Sequence, residues 1–301
     1  MNKNIDPVVS VVMITYNHEA YIAEAITGVL MQECNFDIEL IIADDNSPDN
    51  TQNIVQSFKD HKYFGRIKYI KHLQNKGMME NFVWALNQSR GNYVALCEGD
   101  DYWTDPYKLQ KQVDFLERNK SCILCFHRSY KVYEGSNELQ KVYFKFQDRY
   151  NTKDILSANW IIYTATILFK NQFVYPKWFL IVKHGDYALQ LFLSTLGELG
   201  FIDSYMSVYR KHSSGVSNSF GNKINITLTE TLLAFEKNNP IFRKIVRKKR
   251  SQLMANHGFL QKGITRFKFF VDSVMLNNLI IFHILFRYCI LVRRRLFTLF
   301  H

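Results

Sequence analysis

Apolar positions in the first 120 residues alternate between two periods. Val8–Ile14 is a continuous β-branched run, as expected of a strand covered on both faces. Ala20–Met31 follows, with Ile22, Ile26, Val29 and Leu30 at helical spacing. Ile38–Ala43 predicts a second buried strand, and Asp49–Phe58 a helix presenting Ile54, Val55 and Phe58. Ile67–Ile70 predicts a third strand, Met78–Gln88 a helix with Phe82, Ala85 and Leu86 inward, and Asn92–Cys97 a fourth strand. Pro106–Arg118 predicts a helix with Leu109, Val113 and Leu116 as its stripe, Asp105 as its cap and Pro106 in its first turn. This β-α-β-α order implies an α/β fold with a mostly parallel sheet and helices on both faces.

Such sheets bind ligands beyond the carboxyl ends of their strands. The first strand ends in Thr15-Tyr16-Asn17, the second in Asp44-Asp45-Asn46-Ser47 and the fourth in Glu98-Gly99-Asp100-Asp101. Three carboxylates within four residues repel one another unless a cation sits among them. Oxygen ligands suit Mg²⁺ or Mn²⁺, taken up together with a substrate's phosphates. Glu98, Asp100 and Asp101 therefore predict a metal–diphosphate site, the capping of the next helix being assigned to Asp105. For Asp44 and Asp45 two roles stand side by side. They suit a turn and helix start, and they also suit acceptance of a base N–H or ribose hydroxyl beside a stacking Tyr16.

Charge adds a second region. The chain has 301 residues and a formal charge of +11. Thirteen Lys and Arg lie in Ile241–His301 against Asp272 as the only acid, whereas the other 240 residues hold 25 basic and 26 acidic side chains. After Pro240, Arg243-Lys244 and Arg247-Lys248-Lys249-Arg250 precede Ile264, Phe267, Val271, Val274 and Met275 at helical spacing. Basic amphipathic helices of this kind lie in the interface of an anionic membrane. Packing on the body or a dimer contact is the competing use. Leu279–Val292 is apolar but holds His283 and Arg287 and falls short of the ~20 residues of a spanning helix.

Several classes are disfavoured. No G-x-G-x-x-G or P-loop follows the first strand, and no G-x-S-x-G elbow occurs. The near-neutral body and apolar tail argue against nucleic-acid binding. Val8–Ile14 lacks the flanks of a secretory leader, and five cysteines without framework spacing suit a reducing compartment. The expected location is the cytoplasm, at the inner face of the cell membrane. Cys122 and Cys125 sit in an apolar run and are read as core residues rather than metal ligands.

Val9–Asn17, Glu39–Ser47, Asn75-Lys76-Gly77, Gly91–Val94 and Glu98–Asp101 come in the order and spacing of family 2 glycosyltransferases. The chain resembles that family from about Val8 to Ser217. The resemblance implies the GT-A fold, Rossmann-like, over residues 1–220, with a helical, basic extension over 221–301. It implies inverting transfer from a nucleotide-sugar, with UDP as the expected nucleotide, of a hexosyl or N-acetylhexosaminyl group. The acceptor would be a saccharide or lipid-linked glycan of cell-envelope polysaccharide synthesis. Thr15, Tyr16, Asn17, Asp44, Asp45, Asn75, Gly77 and Asp100 would line the donor nucleotide pocket. Glu98, Asp100, Asp101 and His212 would attend a divalent Mn²⁺ or Mg²⁺, and Glu98 departs from the family's first Asp. Asp186, in Lys183–Tyr187 ahead of a helix expected over Ala188–Leu196, would be the catalytic base, its other role being a helix cap. Tyr209–Ser217 resembles the family's closing loop. Trp160, Tyr163 and Thr164 offer an aromatic and polar acceptor surface, with core packing as the rival for Trp160. The alternatives are a sugar nucleotidyltransferase, which lacks its phosphate loop here, and an inactive saccharide-binding homologue.

Overall fold

The computed structural model describes residues 7–142, 146–158, 162–215, 221–260 and 263–276. The chain folds as two compact units, one of residues 1–181 with 185–215 and the other of residues 182–184 with 216–301.

The first unit is built as the hydrophobic runs predict. β1 (Val9–Thr15), α1 (Ile22–Leu30), β2 (Ile38–Asp44), α2 (Thr51–Gln56), β3 (Ile67–Lys71), α3 (Met78–Asn87) and β4 (Tyr93–Leu96) alternate along the chain. β1 pairs in parallel with β2 and with β4, and β2 with β3. β1 and β2 are buried along nearly their whole length, which explains their lack of polar alternation. Val9, Val11 and Met13 pack with α1, with Val55 of α2 and with Leu109, Val113 and Leu116. The last three belong to α4 (Lys108–Arg118), which follows β5 (Tyr102–Trp103).

Two helices start differently from the pattern. α4 begins at Lys108 rather than at Pro106, because Asp105 accepts from the Tyr107 N–H at 2.8 Å and so forms a turn before the helix. Asp49 serves similarly, accepting from Thr51 N–H and from Glu19 N–H.

Beyond α4 the sheet departs from a simple parallel array. β6 (Cys122–Tyr133), β7 (Gln140–Lys141), β8 (Arg149–Tyr150), α5 (Thr152–Ser157), β9 (Leu168–Lys170), α6 (Gly185–Ser194) and β10 (Glu198–Lys211) complete the unit. The strand order is β3-β2-β1-β4-β9-β6-β10-β5. β9 runs antiparallel to both β4 and β6, and β10 is parallel to β6. Cys122 and Cys125 are buried in β6.

The second unit contains α7 (Ile224–Asn238), α8 (Arg243–Leu260) and α9 (Gly263–Leu276). Ser251 of α8 and Ser273 of α9 each donate a side-chain hydrogen bond to the other's carbonyl, at 2.8 and 2.7 Å. No helix among the described residues is long and apolar enough to cross a membrane.

Candidate active site

The parallel order β2-β1-β4 brings the carboxyl ends of three neighbouring strands to one edge. Asp45 N–H donates to the Thr15 carbonyl at 3.0 Å, and Gly99 N–H to the Ile14 carbonyl at 3.0 Å. The loops after these strands therefore leave the sheet side by side. Asn17 and Asn46 turn them with φ of 61° and 64°, a region Asn enters more readily than most residues. Asn17 N–H donates to Ser47 Oγ at 3.0 Å and ties the first two loops together.

On one side of this edge lies a polar recess around Asp45. Its carboxylate accepts from Lys76 N–H at 2.6 Å and Gly77 N–H at 2.9 Å, and its carbonyl from Asn75 Nδ2 at 3.1 Å. Gly77 has φ of 84°, which only glycine adopts without strain. Tyr16, which follows the last residue of β1, has 48% of its surface exposed. Asp44 is fully buried. Its oxygens accept from Ser47 N–H at 2.7 Å and from the Tyr69 hydroxyl at 2.6 Å, so it braces the loop from behind.

On the other side the three acids after β4 part ways. Asp100 Oδ2 lies 2.9 Å from His212 Nε2 and 3.8 Å from His18 Nε2. Burial pushes its carboxyl up, but the His212 hydrogen bond and the nearby His18 outweigh it and hold Asp100 below the usual range. His18 is itself lowered, chiefly by burial. Asp101 turns inward, where Oδ1 accepts from Arg210 N–H at 2.8 Å. Burial and the charges of Asp100 and Glu98 raise it well above an ordinary aspartate. Glu98 is pushed up to about 8 by burial and by the charges of Asp100 and Asp186, while its hydrogen bond with Thr164 pulls the other way. Charge in the cluster is thus favoured on Asp100 and disfavoured on Glu98 and Asp101.

Among the described residues no group of three or more His, Cys, Asp or Glu side chains is arranged to hold a metal. Of the expected set Glu98, Asp100, Asp101 and His212, Asp100 and His212 are in direct contact, and Asp101 gives one oxygen to the backbone of β10. Asp100 with His212 remains, beside buried atoms lacking a hydrogen-bond partner: Asp101 Oδ2, Thr15 Oγ1 and His18 Nδ1. An ionised carboxylate, an imidazole and an orphaned oxygen fit a divalent ion that brings a diphosphate and water as its further ligands.

Asp186 lies in the first turn of α6, which starts at Gly185 rather than at Ala188. A Cβ at Gly185 would stand 2.6 Å from Met79 Sδ and 3.0 Å from Phe82, so glycine lets α6 settle against α3. That packing holds Asp186 close enough for its charge to raise Glu98. Tyr163 is half-buried and stacks on Tyr209, with ring centroids 4.8 Å apart. Trp160 lies outside the described residues.

Arg210, within the expected closing loop, donates from Nε to the Asp100 carbonyl at 3.0 Å and pairs with Glu24 of α1, stapling the acidic loop to the first helix. Tyr69, which holds Asp44, sits in no local motif, and only the pairing of β2 with β3 brings it in.

Residues 10–180 match the family described as Glycosyl transferase family 2. The chain belongs to this family. An uncharacterized protein of Mycobacterium tuberculosis, Rv1520, is 36% identical over 211 residues, which is 70% of this chain and 60% of that protein. The chain therefore spans about 60% of the length of such relatives. The UDP-Glc:alpha-D-GlcNAc-diphosphoundecaprenol beta-1,3-glucosyltransferase WfgD of Escherichia coli is 29% identical over 217 residues, 71% of this chain and 81% of that enzyme. Among solved structures, S. aureus TarS 1-349 in complex with UDP-GlcNAc superposes with a TM-score of 0.63 at 16% identity, over 88% of this chain and 79% of that one. The mannosyltransferase PcManGT of Pyrobaculum calidifontis, in complex with GDP-Man and Mn²⁺, gives 0.60 at 12% identity, covering 92% and 76%. These likenesses establish the shared GT-A glycosyltransferase fold of the family 2 chain.

Proposed function

We propose that this family 2 chain transfers a sugar from a UDP-sugar to a hydroxyl of a saccharide or lipid-linked glycan acceptor in cell-envelope polysaccharide synthesis. The observation that carries the reading is the gathering of Asp45, Asp100 with His212, and Asp186 along one edge of the sheet. WfgD, named for a UDP-Glc donor and a diphosphoundecaprenol acceptor, and TarS, crystallised with UDP-GlcNAc, support the substrate classes.

Each residue has a task in this reading. The uracil stacks on Tyr16 and donates to the Asp45 carboxylate, which keeps free lone pairs beyond the two backbone N–H groups it already accepts. Thr15, Asn17, Asn75 and Gly77 shape that recess, and Asp44 fixes it from behind. Asp100 and His212 would hold a divalent ion, Mn²⁺ or Mg²⁺, which when bound would supply positive charge against the donor diphosphate. Asp101 anchors the loop to β10, and protonated Glu98 keeps a second negative charge away from Asp186. Asp186 takes the proton of the acceptor hydroxyl as its oxygen attacks the anomeric carbon. The glycosidic bond forms as the bond to the diphosphate breaks on the opposite face, which inverts the configuration. Tyr163 and Thr164 border the acceptor side.

The second unit supports work at a membrane. Its basic helices give an anionic surface something to hold while the first unit acts on a lipid-linked substrate. The decisive experiment incubates the chain with UDP- and GDP-sugars, with Mn²⁺ or Mg²⁺ and with chelator. Metal-dependent UDP release from a UDP-sugar is expected. Absence of binding and hydrolysis for every nucleotide-sugar tested would sink the reading.

A further inference from the structure

The second unit carries an open cleft of about 430 Å³ in which Arg243, Lys244, Arg247 and Lys248 of α8 meet Ile241 and Leu276. Residues 243, 244, 247 and 248 are spaced to share one face of a helix. All four are exposed. Their charge is not cancelled nearby. Glu236 of α7 is the only carboxylate within ion-pair distance among the described residues, and three arginines share it: Arg250 Nη1 at 2.9 Å, Arg247 Nε at 3.2 Å and Arg243 Nε at 3.8 Å. One carboxylate against three guanidiniums orients them and leaves a net positive charge. Lys244 and Lys248 have no acidic partner among the described residues.

The apolar part of the cleft argues which anion belongs there. Ile241 is 86% exposed directly beside the cations, and Leu276 forms another part of the lining. A nucleic-acid phosphate would gain nothing from these two side chains. A phospholipid would place its phosphate among the lysines and arginines and its acyl chains against Ile241 and Leu276, the division that interfacial helices make.

We propose that this cleft is a docking site for the phosphate headgroup of an anionic phospholipid, with Lys244 and Lys248 as its free cations and Ile241 as its wedge into the acyl region. The proposal rests on the membrane reading given above and names the surface that performs it.

The test uses the full chain and sedimentation with vesicles of phosphatidylcholine alone or mixed with phosphatidylglycerol. The native chain should pellet with the mixed vesicles. Each basic residue near an anionic surface contributes about fivefold in binding, so Lys244→Glu with Lys248→Glu should weaken it by more than about 30-fold. Ile241→Asp should weaken it too, through the apolar contact. Lys59→Glu with Lys62→Glu, an equal charge change on exposed residues of the first unit, should leave it as in the native chain. Native-like binding by the Lys244/Lys248 variant would overturn the site while leaving membrane association intact. No native binding to the mixed vesicles would overturn the membrane reading and the site together, without touching sugar transfer. Loss of pelleting in the Lys59/Lys62 control equal to that of the Lys244/Lys248 variant would reduce the effect to net charge and overturn the site. Saturable binding of inorganic phosphate with no vesicle retention would overturn the lipid assignment.

Discussion

His212 and Asp100 stand 112 positions apart and meet at 2.9 Å, Nε2 to Oδ2. An ionised carboxylate only accepts, so His212 donates from Nε2 and its Nδ1 faces Ser214 Oγ at 2.9 Å. The pair joins the loop after β4 to the end of β10. Both side chains would serve as ligands of a divalent ion, His212 giving up its Nε2 proton to do so. Asp100→Asn and His212→Ala should each weaken Mn²⁺ binding in the presence of UDP by at least about 10–100-fold, the loss seen even for groups that only support ligands. Electron paramagnetic resonance of free Mn²⁺ during titration measures this. Asp101→Asn keeps the oxygen that accepts from Arg210 N–H but replaces the unpartnered one, so it too should weaken Mn²⁺ binding.

Asp186→Asn keeps the shape of the first turn of α6 and removes the base. Turnover should fall by about 10²–10⁴-fold, with UDP affinity nearly unchanged. Initial rates and isothermal titration with UDP separate the two. Full activity in the variant would return Asp186 to the role of a helix-start residue.

The two aspartates ending β2 should behave differently. Asp45→Ala removes an acceptor facing the recess and should weaken UDP binding while the fold persists. Tyr69→Phe leaves buried Asp44 without one of its two donors, at a cost of about 1–3 kcal/mol. It should therefore lower the melting temperature more than it lowers UDP affinity. Calorimetry and titration on both variants would expose an inverted assignment.

The contrast between these aspartates marks what the sequence could reveal. β1, β2 and β4 are mostly apolar runs, so their existence and the polar loops at their ends are readable from Val8 to Asp101. The antiparallel insertion of β9 between β4 and β6 was not, because three residues, Leu168–Lys170, carry no period of their own. Adjacent in sequence, Asp44 and Asp45 take different partners, Asp45 the turn at Lys76-Gly77 and Asp44 the Tyr69 hydroxyl, which only the pairing of β2 with β3 brings to it. The acid cluster was legible as a site, but its division of labour was not. Asp101 gives one oxygen to Arg210, 109 residues away, and Glu98 is raised by burial and by the charges of Asp100 and of Asp186, which arrives on another helix. Such assignments are tertiary, and no spacing rule reaches them.

Lys108 gives the last prediction, about stability rather than catalysis. It is wholly buried at the start of α4, with Nζ 2.6 Å from Gln112 Oε1 and 3.9 Å from the Trp103 ring centre. No carboxylate lies within ion-pair distance of it among the described residues, and burial brings its pKa down to about 7. Because the folded value lies below the unfolded one, the unfolded chain binds more protons above pH 7. This lysine therefore makes stability rise with pH from about 7 upward, at up to about 1.4 kcal/mol per unit, and its penalty is complete below that range. Glu98, raised by burial and its acidic neighbours, acts with the opposite sign over lower pH, and buried Cys97 and Cys125 do so above the ordinary thiol value. The difference between native protein and Lys108→Met isolates the lysine. Urea unfolding of both at pH 7 and pH 8 should show the native chain gaining on the variant as pH rises. Parallel curves across that interval would mean that Lys108 keeps its charge in the folded core, with the Trp103 ring and Gln112 compensating for lost water.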